Sequence, residues 1–131
     1  MTHAIRWVLV PVSVVVVWGG VLVLGLQAIH FLNALCPPKL VESGACLAPW
    51  HEPSVEALIV ISAGLAAFAI VVVGALIAPS HKLRVAALLF ACGAVFAMYV
   101  VRAAGLYGPF FTAAGGGSVA LWLVNVRAGI R

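Results

Sequence analysis

Four long apolar runs decide what this chain can fold into. They extend over about residues 5–32, 55–78, 85–104 and 110–126. A helix rises about 1.5 Å per residue, so roughly 20 apolar residues are needed to cross the ~30 Å hydrocarbon core of a bilayer. The first three runs reach that length and the fourth only just does. The pattern therefore predicts four transmembrane spans.

The overall composition leads to the same prediction. Only 8% of the residues are charged and 66% are hydrophobic, whereas a soluble domain carries about 25% charged residues. The valine-rich segment 14–17 would favour a strand in water. In lipid the backbone must satisfy its own hydrogen bonds, which favours a helix instead. We therefore expect an all-α integral membrane protein, a single four-helix bundle over residues 1–131.

The basic residues predict how the spans are oriented. After four crossings, both chain termini and the segment between spans two and three lie on the same side of the membrane. The basic residues of these segments are Arg6, Lys82, Arg84, Arg127 and Arg131. The other side carries only Lys39 and Arg102. Because basic residues concentrate on the cytoplasmic side, we expect cytoplasmic termini and an extracytoplasmic loop between spans one and two.

That outer loop, residues 33–54, contains two of the three cysteines of the chain. Thiols outside the cytoplasm oxidise readily, so we expect a disulfide between Cys36 and Cys46. It would stabilise the fold by about 2–3 kcal/mol, because it restricts the unfolded chain. The C-x9-C-x4-H spacing that ends at His51 matches no closed zinc site, and we expect no metal. Segment 53–56, with its proline and serine, predicts the start of the second span.

A ring of polar side chains is predicted where the spans meet the outer membrane surface. The candidates for ligand binding are Gln27, His30, Glu56, Tyr99, Arg102 and Tyr107, with Asn33 and Thr112 at the same level. Ionisable groups at this depth pair up or mark a functional site, so we expect Glu56 and Arg102 to form an ion pair. The ring is either a structural clasp or a pocket. In a pocket, Arg102 would bind an anionic headgroup and His30 would donate a further hydrogen bond.

Small residues recur at four-residue spacing in the third and fourth spans. The pairs are Ala87 with Ala91, Gly93 with Ala97, and Ala113 with Gly117. This spacing lets helix backbones approach closely, which lipid-embedded helices use for association. The glycines of segment 113–118 predict close packing, with a break in the fourth span as the alternative.

The sequence contains more patterns that favour helix packing than residues arranged for catalysis. We therefore expect a non-enzymatic polytopic membrane protein that acts as an accessory or scaffold subunit, in a homo-oligomer or a larger membrane complex. One alternative is a protein that binds membrane lipids or other amphiphiles through Arg102, His30 and Glu56. A second is a small transporter. Glu56, its one candidate coupling carboxylate, lies near the outer end of a span and not at mid-depth.

Other classes of function find little support in the residues. His30 lacks the second inward histidine that a haem site in a helix bundle requires, and we expect no cofactor. The seven Lys and Arg residues are too scattered to follow a nucleic-acid backbone, so no nucleic acid is expected as a partner. Short loops and a basic inner side suit the bacterial inner (plasma) membrane.

The predicted orientation can be tested by thiol labelling. After treatment of intact cells with a membrane-impermeant reductant, Cys36 and Cys46 should react with an impermeant maleimide added outside, because the loop is expected to face the exterior. A Cys36→Ser/Cys46→Ser variant controls for Cys92, which lies inside the third span. Labelling that appears only when the reagent reaches the cytosol would reverse the orientation.

Overall fold

A computed structural model of the protein describes residues 2–105 and 107–129. Its helices are α1 (Thr2–Ala34), α2 (His51–Ile77), α3 (Lys82–Ala104) and α4 (Tyr107–Gly129). The loop between α1 and α2 contains a 3-10 turn (Pro38–Leu40) and two short strands, β1 (Val41–Glu42) and β2 (Ala45–Cys46). Each helix contains a stretch that is long and apolar enough to cross a membrane: Ile5–Ala34, His51–Ile77, Lys82–Ala103 and Tyr107–Ala128. The prediction of an all-α chain with four helices able to span a membrane is confirmed.

All four helices begin a few residues before the predicted spans, and two of them have a proline in the first turn. α2 starts at His51, one turn before the predicted start, with Pro53 in its first turn. α4 starts at Tyr107, with Pro109 in its first turn. Proline is tolerated there because the first N–H groups of a helix have no intrahelical acceptor. As a result α4 has 23 residues, as many as α3, and is not the short span that was expected.

α2 is the central helix of the structure. It packs against the other three helices, α4 packs against α2 and α3, and α1 packs mainly against α2. α1 and α2 are antiparallel, since Val10 shares a buried cluster with Ala78 and Gly25 lies beside Ser62. The structure thus has a hairpin end, which carries residues 35–50. At the opposite end, here called the basic end, α2 passes into α3 through residues 78–81.

The closest helix contact joins α2 and α4, which run parallel. A Cβ atom on Gly116 would clash with the carbonyl oxygen of Gly64, and one on Gly64 would lie 3.2 Å from the carbonyl oxygen of Thr112. The Thr112 hydroxyl donates a hydrogen bond to the backbone carbonyl of Val60, at 2.7 Å. Thr112 therefore lies within a helix interface, not in the polar ring where the sequence analysis placed it.

α3 completes this packing by placing large side chains over glycines. A Cβ on Gly117 would lie 2.5 Å from the Phe90 ring, and one on Gly74 would clash with Leu89. α4 is continuous through segment 113–118, so its glycines serve close packing and do not break the helix. The pair Ala87 and Ala91 is exposed and takes no part.

Small residues also form the most buried positions. Ala78, Ala86 and Ala120 have no exposed surface, and in the part of the chain that the structure describes no large side chain is fully buried. Large apolar side chains instead cover the outside of the helices. This inverted distribution is expected where lipid tails solvate apolar surface as well as a protein core does.

Gly115 and Gly116 offer a matched test of the α2–α4 contact. Gly116→Ala should lower the free energy of unfolding by about 1–3 kcal/mol, because its methyl group would force the two backbones apart. Gly115→Ala should be neutral or stabilising by up to about 1 kcal/mol, since nothing lies within 4 Å of a Cβ at that position. Unfolding in mixed detergent micelles, followed by circular dichroism, measures both. Equal effects would contradict the close approach.

Candidate functional site

The hairpin end is held by a disulfide and a tight turn. Cys36 and Cys46 are bonded, with a Cα–Cα distance of 6.0 Å, which confirms the predicted disulfide. The antiparallel strands pair Val41 with Cys46, and the turn between them places Ser43 at φ 51° and Gly44 at φ 84°. Two positive φ angles match the two-residue turn that fits the twist of a hairpin. The Ser-Gly dipeptide is the sequence signal of this turn, although the sequence analysis above does not predict the two strands.

Apolar side chains project from this loop. Leu40, Val41, Leu47 and Trp50 are all exposed. Their position beside the ends of α1 and α2 suits the lipid headgroup region, where the amphipathic ring of tryptophan is favoured. The loop thereby offers a small apolar surface beside the ends of α1 and α2.

A hydrogen bond between side chains fastens the two helices that flank the loop. His51 Nε2 donates to Asn33 Oδ1 at 2.7 Å, which joins the start of α2 to the end of α1. The Trp50 ring meets the His51 ring edge-on, with 5.9 Å between centroids. A structural clasp therefore exists at this end, but its members are Asn33 and His51.

The predicted ligand-binding ring is more open than expected. Gln27, His30, Glu56, Tyr99, Arg102 and Tyr107 are all exposed, and they are not among the residues lining the three cavities described for this structure. The described side chains of Glu56 and Arg102 do not form an ion pair within 4.0 Å, so the expected pairing is wrong. Val101 is the buried residue in the last turn of α3. Its neighbour Arg102 is rotated by about 100° around the helix and is exposed.

The main concave feature at membrane depth is an apolar groove. Because α1 packs mainly against α2, a space remains between α1 on one side and α3 and α4 on the other. Two adjoining cavities of about 230 and 430 Å³ fill it. Both are lined by Trp18, Ala63, Ala66, Val100 and Pro109. We call this feature the groove.

Small residues line the base of the groove. Ala63 and Ala66 of α2 form its base, and Gly93 and Ala97 of α3 line one wall. Trp18 projects from α1 on the opposite side, where nearly half of its surface is exposed. No signal in the sequence could have located the groove, because it depends on how α1 is placed against α2.

Side chains that could take part in catalysis or bind a metal ion do not lie together in the described part of the chain. Ser118 donates its hydroxyl to the carbonyl oxygen of Ala114 within its own helix, at 2.7 Å. Ser62 lines the groove, whereas His30 is exposed on α1. Residues 2–105 and 107–129 contain no group of three His, Cys, Asp or Glu side chains placed to hold a metal ion. The residues that line the groove are apolar apart from the hydroxyl of Ser62 and the indole N–H of Trp18.

Comparisons with protein families and with known proteins do not identify a function for the groove. No family model, curated protein or solved structure matches the chain.

A double-mutant cycle distinguishes the observed clasp from the expected one. Asn33→Ala and His51→Ala should show a coupling energy of about 0.5–1 kcal/mol, the net contribution of one hydrogen bond. Glu56→Gln and Arg102→Gln should show none, because these side chains are not paired. Unfolding free energies in detergent micelles give both couplings. Coupling between Glu56 and Arg102 alone would contradict the geometry.

Proposed function

We propose that this protein is a non-enzymatic accessory or scaffold subunit that receives a transmembrane helix of another chain in the groove. The observation that carries the proposal is the groove itself. It is an apolar space between α1 and the α3–α4 pair, with small residues along its base. The other chain is either a second copy of this protein or a larger membrane protein.

The chemistry of the groove supports a helix as its occupant. Lipid provides no hydrophobic force for helix association, so transmembrane helices associate where small residues allow close backbone contact. Ala63 and Ala66 offer such contact along α2, and Gly93 extends it onto α3, where a Cβ would meet nothing within 4 Å. α2 and α4 already use this type of contact with each other. A further helix would add one more layer of the same packing.

The orientation and location belong to the same proposal. The basic end carries Arg6, Lys82, Arg84 and Arg127, while Arg131 lies outside the described residues. The positive-inside rule places this end in the cytoplasm and the disulfide-bonded loop outside. An oxidising exterior suits the disulfide. We propose the bacterial inner membrane as the location.

The two alternative functions stay predictions. A lipid- or amphiphile-binding site at Arg102, His30 and Glu56 would need these exposed side chains to converge around a ligand. Transport coupled to Glu56 would need a path for the substrate across the membrane, and Glu56 is exposed near the hairpin end of α2. Neither alternative has support comparable to that of the groove.

Filling the groove tests the proposed function. Ala66→Phe should weaken association with the partner helix by at least about tenfold, which corresponds to about 1.4 kcal/mol, because the ring would occupy the space that the helix needs. Association is measured by native mass spectrometry and cross-linking of protein extracted in a mild detergent. These methods detect both self-association and a co-purifying membrane protein.

Ala91→Phe is the matched control, because Ala91 is exposed on α3 and lies outside the residues that line the groove. It should leave association unchanged. If it disrupts association while Ala66→Phe does not, the partner binds the outer face of α3 and the groove is not the interface. If the unaltered protein is a monomer with no partner, the scaffold function is wrong. Loss of a bound lipid from Ala66→Phe, without loss of a protein partner, would identify an acyl chain as the occupant.

A further inference from the structure

The third cavity lies at the basic end and differs in chemistry from the groove. It has a volume of about 630 Å³ and opens between the last turns of α2 and α4 and the first turn of α3. We call it the basic cleft. Its lining divides into an apolar interior and a cationic rim.

The interior is formed by side chains of α2 and α4. It is lined by Phe68, Val72, Leu76, Leu123 and Val124. Leu76 exposes more than half of its surface, although it faces the same space as its buried neighbour Ala75. An apolar wall of this kind at the edge of the membrane favours a hydrocarbon chain over water.

The rim carries the positive charge. His81, Lys82 and Arg84 come from the start of α3, and Arg127 comes from the last turn of α4. Long basic side chains such as these reach the headgroup level while their stems remain on apolar surface. Arginine binds phosphate through two parallel hydrogen bonds, and lysine adds a point charge.

No acidic side chain of the described residues lies near this rim. The three acidic residues, Glu42, Glu52 and Glu56, lie in β1 or in the first turns of α2. Residues 56 and 76 are separated by about 30 Å along α2, at about 1.5 Å per residue. The cationic side chains of the cleft therefore have no carboxylate partner within the described chain.

We infer that the basic cleft binds an anionic phospholipid. The phosphate is held by Arg84, Arg127 and Lys82, and one acyl chain lies against Leu76 and its apolar neighbours. This site is independent of the groove and of the helix association proposed above. It differs from the ordinary attraction of basic residues to an anionic membrane, because it requires particular side chains around one bound lipid.

Lipid titration of purified protein, followed by native mass spectrometry, tests the inference. Phosphatidylglycerol should bind as one discrete lipid, at least about tenfold more tightly than phosphatidylcholine, whose zwitterionic headgroup carries no net charge. Arg84→Gln and Arg127→Gln should each weaken phosphatidylglycerol binding by about tenfold, the effect of losing one charge-assisted contact. These residues are exposed, so the substitutions should not affect folding, which circular dichroism checks.

Arg6→Gln is the control for general electrostatic attraction. Arg6 lies at the same end and is exposed, but it is not among the residues that line the cleft. Its replacement should change the affinity by less than about twofold. Near-surface charges each contribute about fivefold to delocalised membrane attraction. Equal losses for Arg6→Gln, Arg84→Gln and Arg127→Gln would therefore overturn the site in favour of that attraction.

Leu76→Trp and inorganic phosphate separate a lipid from a free anion. The tryptophan would fill the apolar interior and should abolish binding of phosphatidylglycerol, whereas Leu88→Trp, at an exposed position outside the cleft, should not. Inorganic phosphate at millimolar concentration should compete only weakly, because it lacks the acyl chain. Full competition by phosphate, or unchanged lipid binding in Leu76→Trp, would show that the cleft is an anion site without a lipid-binding interior.

Discussion

The close approach of α2 and α4 determines the rest of the structure. Glycine at positions 64 and 116 lets the two backbones come near each other, and the Thr112 hydroxyl reaches the Val60 carbonyl at 2.7 Å. In lipid such contacts replace the hydrophobic effect as the source of helix association. Once α2 and α4 are fixed in parallel, α3 must return between their ends through short connections. Its large side chains then cover the glycines that face it, as Phe90 covers Gly117.

The groove follows from the same packing. The face of α2 that receives α4 and α3 is not available to α1, which contacts α2 on another side and has little contact with α3 or α4. A space is left between Trp18 and Val100, and small residues such as Ala63 and Ala66 line its base. A water-soluble protein would collapse around such a space to bury its walls, but in a membrane another apolar molecule can occupy it at little cost. In the proposed function, this incompletely packed space is the surface that receives a helix of another chain.

The sequence alone was enough to predict the features that depend on the thickness of the hydrocarbon core and on redox chemistry. The apolar runs predicted the four helices, the outer cysteines predicted the Cys36–Cys46 disulfide, and the glycines of segment 113–118 predicted close packing. It was insufficient wherever the rotation of a helix about its axis mattered. In a soluble protein the boundary between apolar and polar faces fixes that rotation. Here the helices are apolar on most of their surface, so the position of Thr112 in a helix interface and the exposure of Arg102 depend on packing that no periodicity records.

The two ends of the molecule satisfy their polar groups in different ways. At the hairpin end the chain supplies its own partners: the disulfide closes the loop, and Asn33 accepts a hydrogen bond from His51. All three carboxylates also lie there. At the basic end Lys82, Arg84 and Arg127 line an apolar cleft, and no carboxylate of residues 2–105 and 107–129 lies beside them. In the inferred lipid site, the phosphate of another molecule supplies the anion. Because the cleft opens where lipid headgroups begin, the anions that reach it at the highest local concentration are those of the membrane itself.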